Sequence, residues 1–181
     1  ENFIASNKIK DLRYLVYDLE KRINQKLFLK LPFENDLYVI SDSVEVLKKA
    51  VNQGASIVQL RDKSGNKESI KQRALEMINF KFETRNRFNR DFIFIINDYP
   101  NLAKEIGADG VHLGQEDMGI NEARRILGEN FIIGKSTHSI QQGLAAQQEG
   151  VNYISVGPVY STPTKEGKPS VGVNYVQEAA R

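Results

Sequence analysis

From Leu37 onward the sequence predicts an α/β fold built on a parallel sheet. Three observations predict it: six short apolar runs, amphipathic stretches that separate them, and helix-starting and helix-stopping residues where one gives way to the other.

The runs are LYVIS from Leu37, SIVQL from Ser56, FIFII from Phe92, GVHLG from Gly110, FIIGK from Phe131 and YISVG from Tyr153. Nearly continuous apolar runs of this length read as strands buried on both faces, the pattern of a parallel sheet. After the first run, Asp42 and Ser43 offer caps for VEVLKKAVNQ, which stops at Gly54. A long polar helix around Glu68 to Phe82 fills the second crossover. NLAKEI stops at Gly107, NEARRIL stops at Gly128, and Ser139 caps IQQGLAAQQE, which stops at Gly150. A side-chain oxygen at an N-cap satisfies an orphaned amide, and glycine takes the left-handed turn that closes a helix. A last helix-like stretch, NYVQEAAR, runs to Arg181 with no stop signal. Strand-then-helix repetition through short connections means parallel strands joined by right-handed crossovers. A doubly wound sheet and a closed barrel both satisfy this pattern, and both gather chemistry beyond the carboxyl ends of the strands. No G-x-G-x-x-G follows the first strand, so a dinucleotide site has no support.

Residues 1–35 are different in kind. Ile9, Leu12, Val16, Leu19 and Ile23 fall at three- and four-residue steps, which predicts one amphipathic helix with Pro32 beyond its end. Two heptads are too few for a coiled coil. Such a helix either packs on its own domain or serves as a dimerisation arm. The chain is therefore read as an N-terminal helical extension, 1–35, followed by one α/β domain, 36–181.

Composition narrows the partners. The 181 residues are 40% hydrophobic with a formal net charge of +2. That supports one sizeable core and gives no broad basic field for nucleic acid or an anionic membrane. No apolar run approaches the roughly 18 residues of a spanning helix, and nothing reads as a signal peptide. Cysteine is absent, so any metal would take oxygen or histidine ligands. The expectation is a cytoplasmic protein acting on small molecules, with no nucleic acid or membrane partner and with homo-oligomerisation left open. The chain opens on Glu1 rather than Met, which leaves both ends open to continuation.

Polar residues gather where the apolar runs end. Gln59, Arg61 and Lys63 alternate, so their side chains share a face while the chain stays extended, and a cationic pair beside an amide suits a phosphate or carboxylate. Asn97 and Asp98 follow FIFII, and HLGQED places Glu116 and Asp117 at the neighbouring end. Two carboxylates there could hold Mg²⁺ against a diphosphate, since magnesium takes one or two carboxylates plus waters and phosphate oxygens. The same residues also suit turns, and Asp117 suits an N-cap. Ser136 and His138 stand in GKSTH, where Ser136 could equally cap the next helix. No acidic partner for a Ser-His-Asp triad can be assigned. The loop GPVYSTPTKEGKP, from Gly157 to Pro169, offers Thr162, Thr164 and Lys165 to a phosphate.

QLRDK from Gln59, IINDYPNLAKEIGADGVHLGQEDM from Ile95, GKSTH from Gly134 and GPVYSTPTK from Gly157 together resemble the thiamine-phosphate synthase family. Order and spacing match from Leu37 to about Gly172. The resemblance implies a (β/α)₈ TIM barrel and one reaction. Hydroxymethylpyrimidine diphosphate loses pyrophosphate, and the nitrogen of thiazole phosphate captures the exposed methylene to give thiamine phosphate. It implies that Gln59, Arg61, Lys63 and Asn97 hold the pyrimidine diphosphate, and that Asp98 and Asp117 hold Mg²⁺. Ser136 would meet the pyrimidine, Thr162 and Thr164 the thiazole phosphate, and Lys165 the departing pyrophosphate. Lys63, Ser136 and Lys165 would stand nearest the chemistry.

Two departures accompany the resemblance. The family pattern continues into a seventh and an eighth strand, which predicts that the native polypeptide extends beyond Arg181 and that residues 1–181 alone are not a competent enzyme. The extension before Leu37 has no counterpart in compact family members. Two other readings compete. One is the paralogous thiazole tautomerase, in which His138 would serve as acid and base; the diphosphate-type set at Gln59, Arg61, Lys63, Asn97 and Asp98 favours the synthase. The other is a non-catalytic protein of the pathway that binds a phosphorylated ligand.

Overall fold

The structure, a computed structural model, describes residues 37–88, 90–161 and 169–180. The helix expected over the extension, with Pro32, lies outside the described residues. So do Thr162, Thr164 and Lys165.

Strand and helix alternate without exception along the described chain. β1 (Tyr38–Ser41), α1 (Val44–Asn52), β2 (Ile57–Leu60) and α2 (Lys67–Phe88) come first, then β3 (Ile93–Asn97), α3 (Pro100–Ile106), β4 (Gly110–Leu113) and α4 (Ile120–Leu127). β5 (Ile132–Thr137), α5 (Ile140–Gln148), β6 (Tyr153–Val156) and α6 (Gly172–Ala179) follow. The six apolar runs are the six strands, all parallel, in the spatial order β1-β2-β3-β4-β5-β6. This order separates the two architectures that the sequence left open. A doubly wound sheet reverses direction at a switch point, whereas strands laid down in sequence belong to a singly wound, curling sheet. Tyr38 of β1 and Tyr153 of β6 measure the curl, for their hydroxyls meet at 2.8 Å. In a flat sheet those strands would lie roughly 24 Å apart at ~4.8 Å per step, beyond the reach of two side chains.

The caps act as the sequence indicates. Ser43 accepts from the Val46 amide and Ser139 from the Gln142 amide. Gly107 closes α3 in the left-handed conformation, at φ 71°. α1 turns Val44, Leu47 and Val51 to the sheet, each worth about 1.5–3 kcal/mol of burial. The alternation within strands divides two environments. Val58, Leu60, Phe94, Ile96, Val111, Leu113 and Ile133 point outward into the helical layer, where Leu47, Ile70, Met77, Ile106 and Ile120 complete the core. Gln59, Asn97, His112 and Ser136 fall at the intervening positions and point to the inner face.

Two expectations are corrected. α2 continues six residues past Phe82, because Lys81 and Thr84 carry its buried face with polar atoms and so leave no apolar period to read. β1 and β6 are only partly buried, because each has a neighbour on one side alone among the described strands. No described helix is long and apolar enough to cross a membrane.

At Gly110, paired with Ile132, β4 lies too close to β5 for a side chain. A Cβ there would stand 2.2 Å from the carbonyl oxygen of Ile132, a backbone atom that cannot swing aside. Gly110→Ala is expected to cost about 1–3 kcal/mol by overpacking, read as a lower denaturation midpoint at unchanged slope.

Candidate active site

A cavity of about 560 Å³ opens at the carboxyl ends of the strands. Its floor follows from one glycine. Asn97, His112, Gly134 and Tyr153 lie side by side across β3 to β6 in register. Gly134 has no side chain, and the Tyr153 ring fills that space: a Cβ would stand 2.0 Å from its Cζ. The ring stacks on His112 at 5.6 Å between centroids and meets Tyr38 edge-on at 5.9 Å.

The polar atoms of this floor form one directed chain. Gln59 Nε2 donates to Asn97 Oδ1 at 2.6 Å, and the Tyr38 hydroxyl donates to Gln59 Oε1 at 2.7 Å. Tyr38 has then spent its proton, so the Tyr153 hydroxyl donates to it at 2.8 Å. Tyr153 must therefore accept from His112 Nδ1 at 3.0 Å, while Nε2 hydrogen-bonds Ser136 Oγ at 2.9 Å. The chain places a proton on His112 Nδ1. Burial pushes both tyrosines above the ordinary phenol range, with Tyr38 adding to the effect on Tyr153, so both stay protonated as the chain requires. The Asn97 amide nitrogen is left as a donor at one end.

Cations stand at the rim beside this floor. β2 ends at Leu60, and the QLRDK segment leaves it under restraint. Arg73 of α2 pairs with the buried Asp62 and donates to the Asp42 carbonyl, while Asp62 accepts from the Ser64 amide at 2.7 Å. This holds Arg61 and Lys63 along the cavity edge. Arg61 has no ion-pair partner among the described residues, and Lys63 pairs with Asp98.

Asp98 follows β3 with φ 65°, the left-handed region, where Asp and Asn are tolerated better than most residues. Its amide donates to the His112 carbonyl at 2.9 Å, which fixes the turn. The turn sets the Asp98 carboxyl within hydrogen-bonding reach of the Asp117 carboxyl. Burial and the neighbouring Asp117 raise the Asp98 carboxyl above its usual range, against the pull of Lys63. Asp117 loses some solvation too, but the hydrogen bonds from Asp98 and the Gly114 amide, with Lys63 and Lys135 nearby, hold it below that range. Two carboxyls forced together want a cation between them. Among the described residues there is no cluster of three or more His, Cys, Asp or Glu able to cage a metal. A pair of carboxylates fits Mg²⁺, which keeps waters and takes phosphate oxygens, better than it fits zinc.

The structure thus brings Gln59, Arg61, Lys63, Asn97, Asp98, Glu116, Asp117, Ser136 and His138 around one cavity. Several ambiguities of the sequence resolve. Asn97 is the last residue of β3 rather than a turn residue. Asp117 caps no helix, since Gly119 is the N-cap of α4, and its carboxylate accepts from Gly114 N at 2.6 Å. Ser136 lies within β5, and Ser139 does the capping. Tyr38, His112 and Tyr153 escaped the sequence reading because they sit inside apolar runs. The period-two position of His112, one step before the LGQED turn, was the available signal.

Comparison with known proteins agrees with this fold. The thiamine-phosphate synthase of Synechocystis sp. is 40% identical over 177 residues, covering 94% of this chain and 49% of that protein. That of Caldicellulosiruptor bescii is 37% identical over 139 residues, covering 76% of this chain and 61% of that one. The solved structure of a thiamine phosphate pyrophosphorylase from Pyrococcus furiosus superposes with a TM-score of 0.65 at 29% identity, covering 80% of this chain and 68% of that one. The chain spans about half the length of the Synechocystis relative. Residues 35–181 match the thiamine monophosphate synthase family, and the chain belongs to that family.

Proposed function

We propose that the protein is a thiamine-phosphate synthase, a transferase that joins the pyrimidine of hydroxymethylpyrimidine diphosphate to thiazole phosphate, and that its six strands belong to a (β/α)₈ barrel. The observation that carries this reading is the convergence of Arg61, Lys63 and a carboxylate pair on one rim above a floor of neutral donors and acceptors. Only a ligand with both a multiply charged group and a polar ring uses both halves.

In the reaction, the bond from the pyrimidine methylene to the diphosphate oxygen breaks and its electron pair leaves with pyrophosphate. The lone pair of the thiazole nitrogen then forms the new C–N bond. No proton has to move, so the step needs no acid–base triad. Arg61, Lys63 and the Asn97 amide would bind the diphosphate and offset the charge that develops on it. Gln59 and Ser136, oriented by the directed hydrogen-bond chain, would fix the ring so that its methylene faces the thiazole. Asp98 and Asp117 would hold Mg²⁺, which supplies further neutralisation of the leaving diphosphate. Thr162 and Thr164 are proposed for the thiazole phosphate, and Lys165 for the departing pyrophosphate, on the family resemblance. The direct test is pyrophosphate release on mixing the two substrates with Mg²⁺; no release above background in the full-length protein would refute the proposal.

One observation keeps the tautomerase reading testable. His138 lies at the cavity edge, where its Nδ1 donates to the Gly157 carbonyl. His138→Gln is expected to keep pyrophosphate release within about tenfold of the parent. A proton carrier would be worth ~10²–10⁴ in rate, so a loss of that size in isomerisation, with no synthase activity in the parent, would reverse the choice.

A further inference from the structure

Lys135 is the one lysine of β5, and it points away from the cavity floor that Ser136 faces. Its side chain is buried, with 8% of the residue exposed, and Nζ donates to the Gly114 carbonyl at 2.8 Å. Among the described residues its hydrogen-bond partner is that carbonyl, with the Asp117 carboxylate nearby, which is modest compensation for a buried ammonium, so the position calls for a reason beyond packing. The reason lies three residues along the turn that Lys135 grips. Gly114 is held at both ends of its residue: its amide donates to Asp117 Oδ2 at 2.6 Å, and its carbonyl accepts from both Lys135 and the Asp117 amide, the latter at 3.3 Å. The next β5 residue adds a second tether, since the Ser136 carbonyl accepts from Gln115 Nε2. The turn between β4 and α4 is thereby tied to β5 rather than left to its own short backbone. The fit is close, for a Cβ at Gly114 would stand 2.8 Å from Asp117 Oδ2.

We propose that Lys135 is a positioning residue for the metal site, holding the Gly114–Asp117 turn so that the Asp117 carboxylate stays opposite Asp98. This inference rests on the metal reading given above. Lys135 touches neither substrate nor metal in this role; it acts through Gly114, from behind. Lys63 differs in kind, because it stands on the cavity side of the same carboxylates and pairs with Asp98 directly.

The test is Mn²⁺ binding to the full-length protein, followed by electron paramagnetic resonance of the free ion, beside a denaturation curve for each variant. Lys135→Met is expected to weaken Mn²⁺ binding about tenfold, the low end of what a residue orienting a metal ligand contributes. Lys135→Arg, which keeps the charge and a donor, should recover most of that loss. In an Asp117→Asn background, Lys135→Met should change Mn²⁺ binding by less than about twofold, because the ligand it positions is already impaired. If Lys135→Met does not fold, Lys135→Gln retains a donor for Gly114 without the charge and serves in its place. In steady-state assays the apparent requirement for Mg²⁺ should rise while kcat at saturating Mg²⁺ stays near that of the parent. Unchanged Mn²⁺ binding in Lys135→Met, or an undiminished loss in the Asp117→Asn background, refutes the positioning role while leaving the metal site in place. Unchanged Mn²⁺ binding in Asp98→Asn and Asp117→Asn refutes the metal reading itself.

Discussion

Asp98→Asn is expected to lower pyrophosphate release by at least about a hundredfold while the protein stays folded. The backbone argues for this choice of variant. Asp98 sits at φ 65°, and Asn tolerates the left-handed region as well as Asp does, so the turn after β3 survives the change. The amide of residue 98 still reaches the His112 carbonyl. What disappears is the negative charge that pairs with Lys63 and that, with Asp117, would hold the proposed cation. Magnesium binds through hard, charged oxygens, and an amide oxygen is a weaker ligand. Without that charge the diphosphate leaves against less neutralisation, an effect comparable to the ~10²–10³ lost with one charge-stabilising group elsewhere. Activity would be measured across a Mg²⁺ titration, with circular dichroism reporting the fold. An Asp98→Asn protein with the parent's turnover and Mg²⁺ dependence would remove Asp98 from the metal site.

The second large effect concerns stability, at the opposite end of the strands. Lys81 of α2 is 4% exposed, and its ammonium lies 2.6 Å from Asp109 Oδ2 and 3.1 Å from Asp91 Oδ1. It also donates to the Phe92 carbonyl and lies over the Phe92 ring at 5.3 Å. Asp109, between α3 and β4, accepts from the Phe94 amide at 2.7 Å as well. One lysine therefore fastens the long helix to the start of β3 and the entry to β4. Lys81→Met keeps the volume but leaves Asp109 charged and buried with its cation gone. Breaking a buried pair in this way costs about 3–5 kcal/mol. Lys81→Met/Asp109→Asn should recover part of the loss, since Asn still accepts from the Phe94 amide and carries no charge to bury. Equilibrium urea denaturation of both variants decides the matter. A loss below about 1 kcal/mol in Lys81→Met would show that the pair is dispensable.

Much of this protein was legible before any coordinates. Six strands and the helices between them follow from runs such as FIFII and from stops such as Gly107 and Gly128, because helix and strand periods and cap chemistry act over a few residues. The rim residues Gln59, Arg61, Asn97, Asp98 and Asp117 were also legible, since polar groups directly after apolar runs must lie at strand ends. α2 beyond Phe82 was not legible, because Lys81 buries its ammonium against Asp109, a partner that local pattern cannot reveal, and Thr84 puts a hydroxyl bonded to the Phe80 carbonyl where an apolar residue would mark the period.

Other features existed only in three dimensions. Whether Asp117 caps α4 or faces Asp98 depends on a carboxyl 19 residues away in sequence, which the turn at Asp98 aims across β3 and β4. Tyr38 and Tyr153 read as ordinary strand residues, yet their hydroxyls meet across 115 positions. That meeting follows from the curl of the sheet and from the missing side chain at Gly134. Local propensity is set by neighbours along the chain, and the sequence alone determined the elements and their rim chemistry. The closure of the floor, the proton on His112 Nδ1 and the grip of Lys135 on the Asp117 turn were decided by the tertiary structure, because the register and the curl of the sheet together bring those distant atoms within hydrogen-bonding distance.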